Sequence, residues 1–226
     1  MSELIRTLLI YALPVIFAIT LHEAAHGYAA KYFGDSTAYN QGRVSLNPLV
    51  HIDPVGTIII PVVLYVASIA TGGGFIFGYA KPVPVNFSKL KNPKRDMAWV
   101  ALAGPGANFI MAFFWMLLGV ILNSANIAEP FFIKMADAGV LTNLVMLAFN
   151  LFPIPPLDGG RILISLLPNK LAYKFAQVEP YGFFIVMGMV MIHWLQFWLV
   201  PVIVLSNFLL EQLMTPFSML LGFLAL

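Results

Sequence analysis

The 226 residues are 60% hydrophobic and only 10% charged, whereas soluble domains carry roughly 25% charged residues. This composition excludes an ordinary soluble domain and predicts an all-α, polytopic membrane protein with length for about five to six transmembrane helices. The formal net charge of +2 gives no indication of a nucleic-acid partner, and because cysteine is absent, any zinc must be bound by histidine and carboxylate.

The first predicted helix, residues 3–33, contains the motif His22-Glu23-Ala24-Ala25-His26. Residues four apart lie on one face of a helix, so His22 and His26 can direct two imidazoles at one zinc ion. Glu23 lies about 100° further round the helix, where it can take a proton from zinc-bound water without binding the metal. The helix is longer than a hydrocarbon core of about 30 Å, which places the motif towards one membrane face. Ionisable groups in so apolar a helix indicate a functional site rather than a chance pattern.

A polar, irregular stretch follows at residues 36–54. Gly42 and Pro48 bracket a short extended piece, which we predict to be a β-hairpin at or dipping into the membrane interface. The apolar run at residues 55–70 ends in three glycines, so we predict a segment that re-enters the membrane after the first helix. The sequence leaves open whether His51 supports the metal site or is an ordinary interface residue.

Two prolines mark the next segment, residues 81–86, and favour an extended backbone there. Such a strand can bind an unwound substrate by edge pairing, and a plain proline-rich connector is the equal alternative. In the first case the substrate-binding residues are Pro82, Val83, Pro84, Val85 and Asn86. The basic run that follows at residues 89–95 is typical of a topology signal.

The helix predicted at residues 97–122 contains Gly104, Pro105 and Asn108. Small residues allow neighbouring helices to approach closely, and packing alone accounts for the glycine. Asn108 is a polar group in an apolar helix and must find a partner, either within the packing or at the site, where it would contact substrate.

The next predicted helix, residues 139–152, is stopped by three prolines that precede Asp158. We expect these prolines to hold the Asp158 carboxylate on rigid, non-helical backbone lining a cavity. Asp158 is then the candidate third zinc ligand, which leaves a fourth position for water. A helix N-cap is the competing interpretation, because the same oxygens serve both roles.

Two further spans are predicted at residues 181–205 and 207–226. One domain, residues 1–226, then has a catalytic core at about 4–165 and C-terminal helices at about 181–226. If residues 55–70 re-enter the membrane and return to the side they came from, ten of the twelve Lys and Arg residues lie on one side of the membrane. Only Arg6 and Lys134 lie on the other side. Basic loops stay in the cytoplasm, so we expect a multi-pass cell-membrane protein with its site towards the cytoplasmic side.

With these pieces assembled, the chain resembles the site-2 proteases, the zinc-dependent intramembrane metalloproteases, and specifically a compact branch without a PDZ domain. The resemblance covers roughly residues 8–161. Residues 22–26 are similar to the zinc helix of this family, and residues 150–153 with 157–160 are similar to its second motif. Gly104-Pro105 with Asn108 resembles the motif on the intervening helix.

The resemblance implies hydrolysis of a peptide bond in or near a transmembrane segment of a membrane-protein substrate in the lipid bilayer. It implies one zinc ion per chain, held by His22, His26 and Asp158, with Glu23 as the general base. It also implies that Asn150 steadies the substrate or the developing oxyanion. Two other classes stay open: a non-proteolytic membrane zinc-binding or chaperone-like protein, and a transporter, which the absence of visible repeats disfavours.

Overall fold

The computed structural model describes residues 3–60, 62–63, 80–127 and 129–224. Within these ranges the protein is helical and contains no β-strand. The α-helices are α1 (Glu3–Tyr32), α2 (Thr37–Asn40), α3 (Pro93–Ser124), α4 (Pro130–Asn150), α5 (Asp158–Leu166), α6 (Asn169–Ala176), α7 (Glu179–Met191) and α8 (Gln196–Leu224). Short helical turns of other types occur at Pro48–Val50, Pro54–Ile59 and Phe87–Lys89.

Four helices of the described chain, α1, α3, α4 and α8, are long and apolar enough to cross a membrane. A crossing needs about 20 residues at 1.5 Å per residue, and each of these helices has at least 21. The bounds of α1 confirm the predicted first helix. The count of five to six spans is not confirmed, because four are seen and most of the predicted re-entrant run lies outside the described residues.

Helix α3 is central to the bundle, since it packs against α1, α4, α5 and α8. Small residues permit the close approaches. A methyl group at Gly139 of α4 would overlap the Trp115 ring of α3, so no side chain larger than hydrogen fits there. Ala112, Leu144 and Leu210 form a buried cluster where α3, α4 and α8 meet. This packing brings α3 alongside the part of α1 that carries the motif.

Two predicted helices have the wrong bounds. Helix α4 begins at Pro130 rather than near residue 139, because Glu129 accepts a hydrogen bond from the Phe131 amide and proline suits the first helical position. The single span predicted at 181–205 is wrong: α7 ends at Met191 and α8 begins at Gln196. The helix is interrupted between them, where His193 has a φ of 58°.

The β-hairpin predicted around residues 42–48 is not confirmed. Residues 42–47 form neither helix nor strand and connect the short helix α2 to the helical turn at Pro48–Val50. Asp53 caps the next turn by accepting hydrogen bonds from the amides of Val55 and Gly56. The return of the predicted re-entrant segment falls on residues 64–79, which lie outside the described residues.

Candidate metal centre

Three buried side chains converge where α1 meets the start of α5. The Nε2 atoms of His22 and His26 are 3.1 Å apart, and each lies 3.3 Å from Oδ2 of Asp158. Tetrahedral zinc with bonds of about 2.0–2.1 Å separates its ligand atoms by about 3.3–3.4 Å. The three atoms therefore form a triangle with the dimensions of one face of a zinc tetrahedron. Of the described residues, this is the group of three that could hold a metal ion.

Hydrogen bonds on the far side of each imidazole determine its tautomer. Nδ1 of His26 lies 2.7 Å from the carbonyl oxygen of Val100, which can only accept, so this Nδ1 carries the proton. Nδ1 of His22 lies 2.6 Å from Oδ1 of Asn108. The Asn108 amide is oriented by its nitrogen, which donates to the Ala18 carbonyl at 3.2 Å. Oδ1 of Asn108 is thus the acceptor, and His22 also has its proton on Nδ1.

When both imidazoles are neutral, as zinc ligands must be, their Nε2 atoms present lone pairs to each other and to Asp158. Oδ2 of Asp158 is buried and has no hydrogen-bond partner among the described residues. Three such acceptors placed together repel one another unless a cation lies between them. The donor set, two neutral imidazoles and a carboxylate, is one that catalytic zinc sites use. The residues present therefore fit a zinc ion.

Asp158 reaches the two histidines through a tightly packed turn. Helix α4 ends at Asn150, and α5 begins at Asp158 itself. A methyl group at Gly159 would lie 2.6 Å from the carbonyl oxygen of Phe152, and one at Gly160 would lie 2.7 Å from Cα of Pro155. Only glycine permits this approach, which brings the start of α5 against the turn.

The predicted backbone at Asp158 is wrong in one respect, since the residue is the first of a helix rather than part of a non-helical segment. Leu157 occupies the N-cap position, where no side chain caps the helix. Of the two interpretations left open by the sequence, the structure disfavours the cap, because the carboxylate points at the imidazoles. The ligand interpretation is compatible with this geometry.

Gly104 of α3 lies directly against the two imidazoles. A methyl group at this position would lie 2.6 Å from Cε1 of both His22 and His26. Gly104 therefore does more than allow helices to pack. Because it has no side chain, the two imidazole rings can occupy the space beside it. The sequence analysis treated Gly104 as a packing residue and missed this contact.

Residues 80–86, which form no helix or strand, pass beside the motif. The Val83 amide donates a 2.7 Å hydrogen bond to Oε2 of Glu23, and the buried Val83 side chain packs near Gly27 of α1. The Asn86 amide donates to Oδ2 of Asp35 at 2.6 Å. The segment predicted to bind substrate thus lies against the predicted general base. Whether Pro82, Val83, Pro84, Val85 and Asn86 bind substrate stays a prediction.

Arg43 and His51 hold the other side of this segment. The buried guanidinium of Arg43 donates to the carbonyls of Val50, Lys81 and Pro82, the last two at 2.8 and 3.3 Å. The Lys81 amide donates to the His51 carbonyl at 2.9 Å, and the His51 ring is hydrogen-bonded to Ser45. His51 therefore contacts the 80–86 segment rather than the metal group.

Asp35 is the anionic anchor at the end of the 80–86 segment. Burial disfavours the charged form of Asp35, but hydrogen bonds from Thr37 and the Asn86 amide, with the nearby Lys89 ammonium, outweigh this effect. Together they hold the pKa of the Asp35 carboxyl below its usual range. The segment is thus tied at this end to a group that stays charged.

The remaining predicted residues have different surroundings. Asn108 is fully buried, and its nitrogen also donates to Oδ1 of Asn143 at 3.0 Å, so its contacts are with His22 and the neighbouring helices. Asn150 donates to the carbonyl of Met146 in its own helix, and none of its described hydrogen bonds joins it to the metal group. Asn143 escaped the sequence analysis, although an asparagine in an apolar helix is the same signal that identified Asn108.

Known proteins resemble this chain over most of its length. It is 38% identical over 182 residues to "Putative zinc metalloprotease YwhC" of Bacillus subtilis (strain 168), covering 76% of each protein. It is 32% identical over 172 residues to "Putative zinc metalloprotease Rip2" of Mycolicibacterium smegmatis, covering 76% of this chain and 62% of that relative. An 83-residue stretch is 31% identical to "Zinc metalloprotease MJ0392" of Methanocaldococcus jannaschii, covering 37% of this chain and 23% of that relative.

No family model matches the chain, and no solved structure matches it either. The relatives nevertheless share a single description, and the first of them is aligned over three quarters of both proteins. Their description agrees with the chemistry of the buried His–His–carboxylate group. From this identity and coverage, the chain belongs to the zinc metalloprotease family.

Proposed function

We propose that this protein is an intramembrane zinc protease of the site-2 type, which hydrolyses a peptide bond in or near a transmembrane segment of a membrane-protein substrate. The observation that carries the proposal is the location of the metal group within an apolar spanning helix. His22 and His26 lie inside the candidate span Ile5–Tyr32. At 1.5 Å per residue, His26 is about 9 Å from the Tyr32 end, within reach of the membrane interface.

One zinc ion per chain, bound by His22, His26 and Asp158, would polarise the scissile carbonyl and lower the pKa of its water to about 7. The chain's own groups perform the remaining work. Glu23 projects beside the metal group without belonging to it and accepts the proton of the attacking water. The same carboxyl then returns the proton to the leaving amine. Asn108 acts on His22, by holding its ring and tautomer, rather than on substrate.

The 80–86 segment borders the proposed reaction site. The Val83 amide orients the Glu23 carboxylate at 2.7 Å, so the segment is directly adjacent to the general base. Backbone groups of this segment other than those bonded to Arg43, His51, Glu23 and Asp35 can pair with a substrate peptide, which must be unwound to be cut. Asn150 uses one amide N–H on Met146 and retains a second for the substrate or the developing oxyanion.

The orientation proposed is a multi-pass cell-membrane protein, one domain over residues 1–226, with the site towards the cytoplasm. Support comes from where the basic residues lie. Arg6 and Lys134, the two predicted to lie apart from the rest, line one cavity with Glu3 and Asp137 at the start of α1. The metal group lies near the other end of α1, which basic loops surround. Loops rich in Lys and Arg are retained in the cytoplasm.

The test compares Glu23→Gln with wild type after reconstitution with single-span membrane proteins. The variant should keep its zinc, because Glu23 is not a ligand, and should lose cleavage by about 10²–10⁴-fold, the contribution of general base catalysis. Glu129→Gln is a matched control, since this exposed residue caps α4 and should change neither zinc nor cleavage.

Undiminished cleavage by Glu23→Gln would refute the assigned mechanism. Zinc-dependent cleavage of soluble peptides only, with every membrane helix left intact, would refute the intramembrane assignment. If wild-type protein binds zinc but cleaves no helix offered, the non-proteolytic zinc-binding alternative is correct.

A further inference from the structure

Helix α8 has a polar stripe on its surface, formed by Asn207, Glu211, Thr215 and Ser218. These residues are four, four and three positions apart, so they lie on one face. The Asn207 amide donates to Oε1 of Glu211 at 2.6 Å, and the Thr215 hydroxyl donates to the Glu211 carbonyl at 2.9 Å. The sequence analysis did not identify this stripe.

Glu211 lies deep in the candidate span Gln196–Leu220. It is fifteen residues after the start of that span and nine before its end, which is about 22 Å and about 14 Å along the helix axis. Its side chain is nevertheless exposed on the surface of the protein. Carboxyl groups at this depth are rare, and those that occur face a protein interior or a partner.

The polar stripe does not face the rest of the bundle. Helix α8 packs inward through Ser206, Leu210 and Met214, which are buried. With 3.6 residues per turn, the polar stripe is centred about 100° away from that face. In the part of the chain that the structure describes, Glu211 takes part in no ion pair, and its side-chain hydrogen bond is to Asn207 of the same helix. The polar stripe therefore lacks the neighbouring helix that such residues usually have.

We propose that the polar stripe is the contact through which two copies of this chain pair in the membrane. It contains both hydrogen-bond donors and acceptors, and because residues 196–224 include no Lys or Arg, Glu211 has no cation in its own helix and can instead accept hydrogen bonds from the amide and hydroxyl groups of a second copy. Copies inserted with one topology place their α8 helices parallel about a two-fold axis. In such a contact, the Asn207 amide of each copy can donate to Glu211 of the other.

The spacing of exposed residues supports a pair of helices. Val200, Val204, Asn207 and Glu211 follow intervals of four, three and four, which is the repeat of helices that pack side by side. The next position of this repeat, Met214, faces the bundle, so the repeat covers residues 200–211. Val200 and Val204 are 57% and 62% exposed and extend the stripe with apolar contacts. The pairing does not depend on the proposed catalytic function.

Disulfide cross-linking in liposomes tests the pairing, because the chain has no cysteine of its own. Val204→Cys lies on the polar stripe's face and should form a dimer when the reconstituted Glu23→Gln protein is oxidised with copper phenanthroline. Leu205→Cys is the matched control, since Leu205 is 60% exposed at the same depth but about 100° round the helix. It should cross-link far less at low protein-to-lipid ratio.

A second substitution shows whether the polar stripe itself drives pairing. Adding Glu211→Leu to Val204→Cys should weaken dimerisation by about tenfold, whereas Glu211→Gln, which keeps a hydrogen-bonding group, should retain it. Equal cross-linking at positions 204 and 205, or no effect of Glu211→Leu, would overturn the proposal. So would a Val204→Cys adduct with a different protein in native membranes, with no homodimer formed. Equal zinc content in all variants establishes that they fold.

Discussion

Replacing Gly104 by alanine should damage the metal centre without touching a ligand. The new methyl group would lie 2.6 Å from Cε1 of both imidazoles, whereas carbon atoms make contact at about 3.5–4.0 Å. Either the rings or helix α3 must therefore move by about 1 Å. Zinc–ligand distances tolerate only about 0.2 Å, so the His22 and His26 nitrogens cannot both keep their places.

The expected loss of zinc affinity is about 10–100-fold, similar to the loss caused by removing groups that orient metal ligands. That range corresponds to about 1.4–2.7 kcal/mol. The measurement is a titration of purified protein against a chelator of known zinc affinity. Gly106→Ala is the matched control, because a methyl group there meets nothing within 4 Å and the change in helix propensity is the same.

Zinc binding by Gly104→Ala equal to that of Gly106→Ala would refute this reasoning. It would mean that α3 does not constrain the rings, and that the triangle of donor atoms is set by α1 and α5 alone. If Gly104→Ala instead lowers the melting temperature and leaves zinc affinity unchanged, the strain is absorbed by the packing of α3.

Two further substitutions test the groups around the metal centre. Asn108→Ala removes the acceptor of the His22 Nδ1 proton and should lower zinc affinity by about 10–100-fold in the same titration, and unchanged affinity would show that the tautomer needs no such support. Arg43→Lys cannot reproduce the guanidinium contacts to Val50, Lys81 and Pro82, so the free energy of unfolding should fall by about 1.5–3 kcal/mol. Cleavage should fall as well, while the zinc content stays constant. Loss of zinc would show instead that the metal centre depends on Arg43.

Local features of the structure could be predicted because they depend on residues close in sequence. The bounds of α1 and the common face of His22 and His26 follow from helical periodicity, which hydrogen bonds within one turn impose. The break between α7 and α8 could not be predicted in the same way. Residues 181–226 are apolar almost throughout, and a helix that continues and a helix that breaks at His193 have the same composition. Leu195 is buried in a cluster with Phe152 and Val186, so packing against a distant part of the chain favours the break.

The sequence by itself determined that the chain is apolar enough for a membrane, and that one helix presents two imidazoles beside a carboxylate. Only the tertiary structure decided that the Asp158 oxygen meets both imidazoles instead of capping its own helix. It also assigned Asn108 to His22 and placed the Val83 amide on Glu23. These contacts join segments far apart in the chain, and they depend on how closely helices approach at Gly104, Gly159 and Gly160. No periodicity within a single segment encodes that distance.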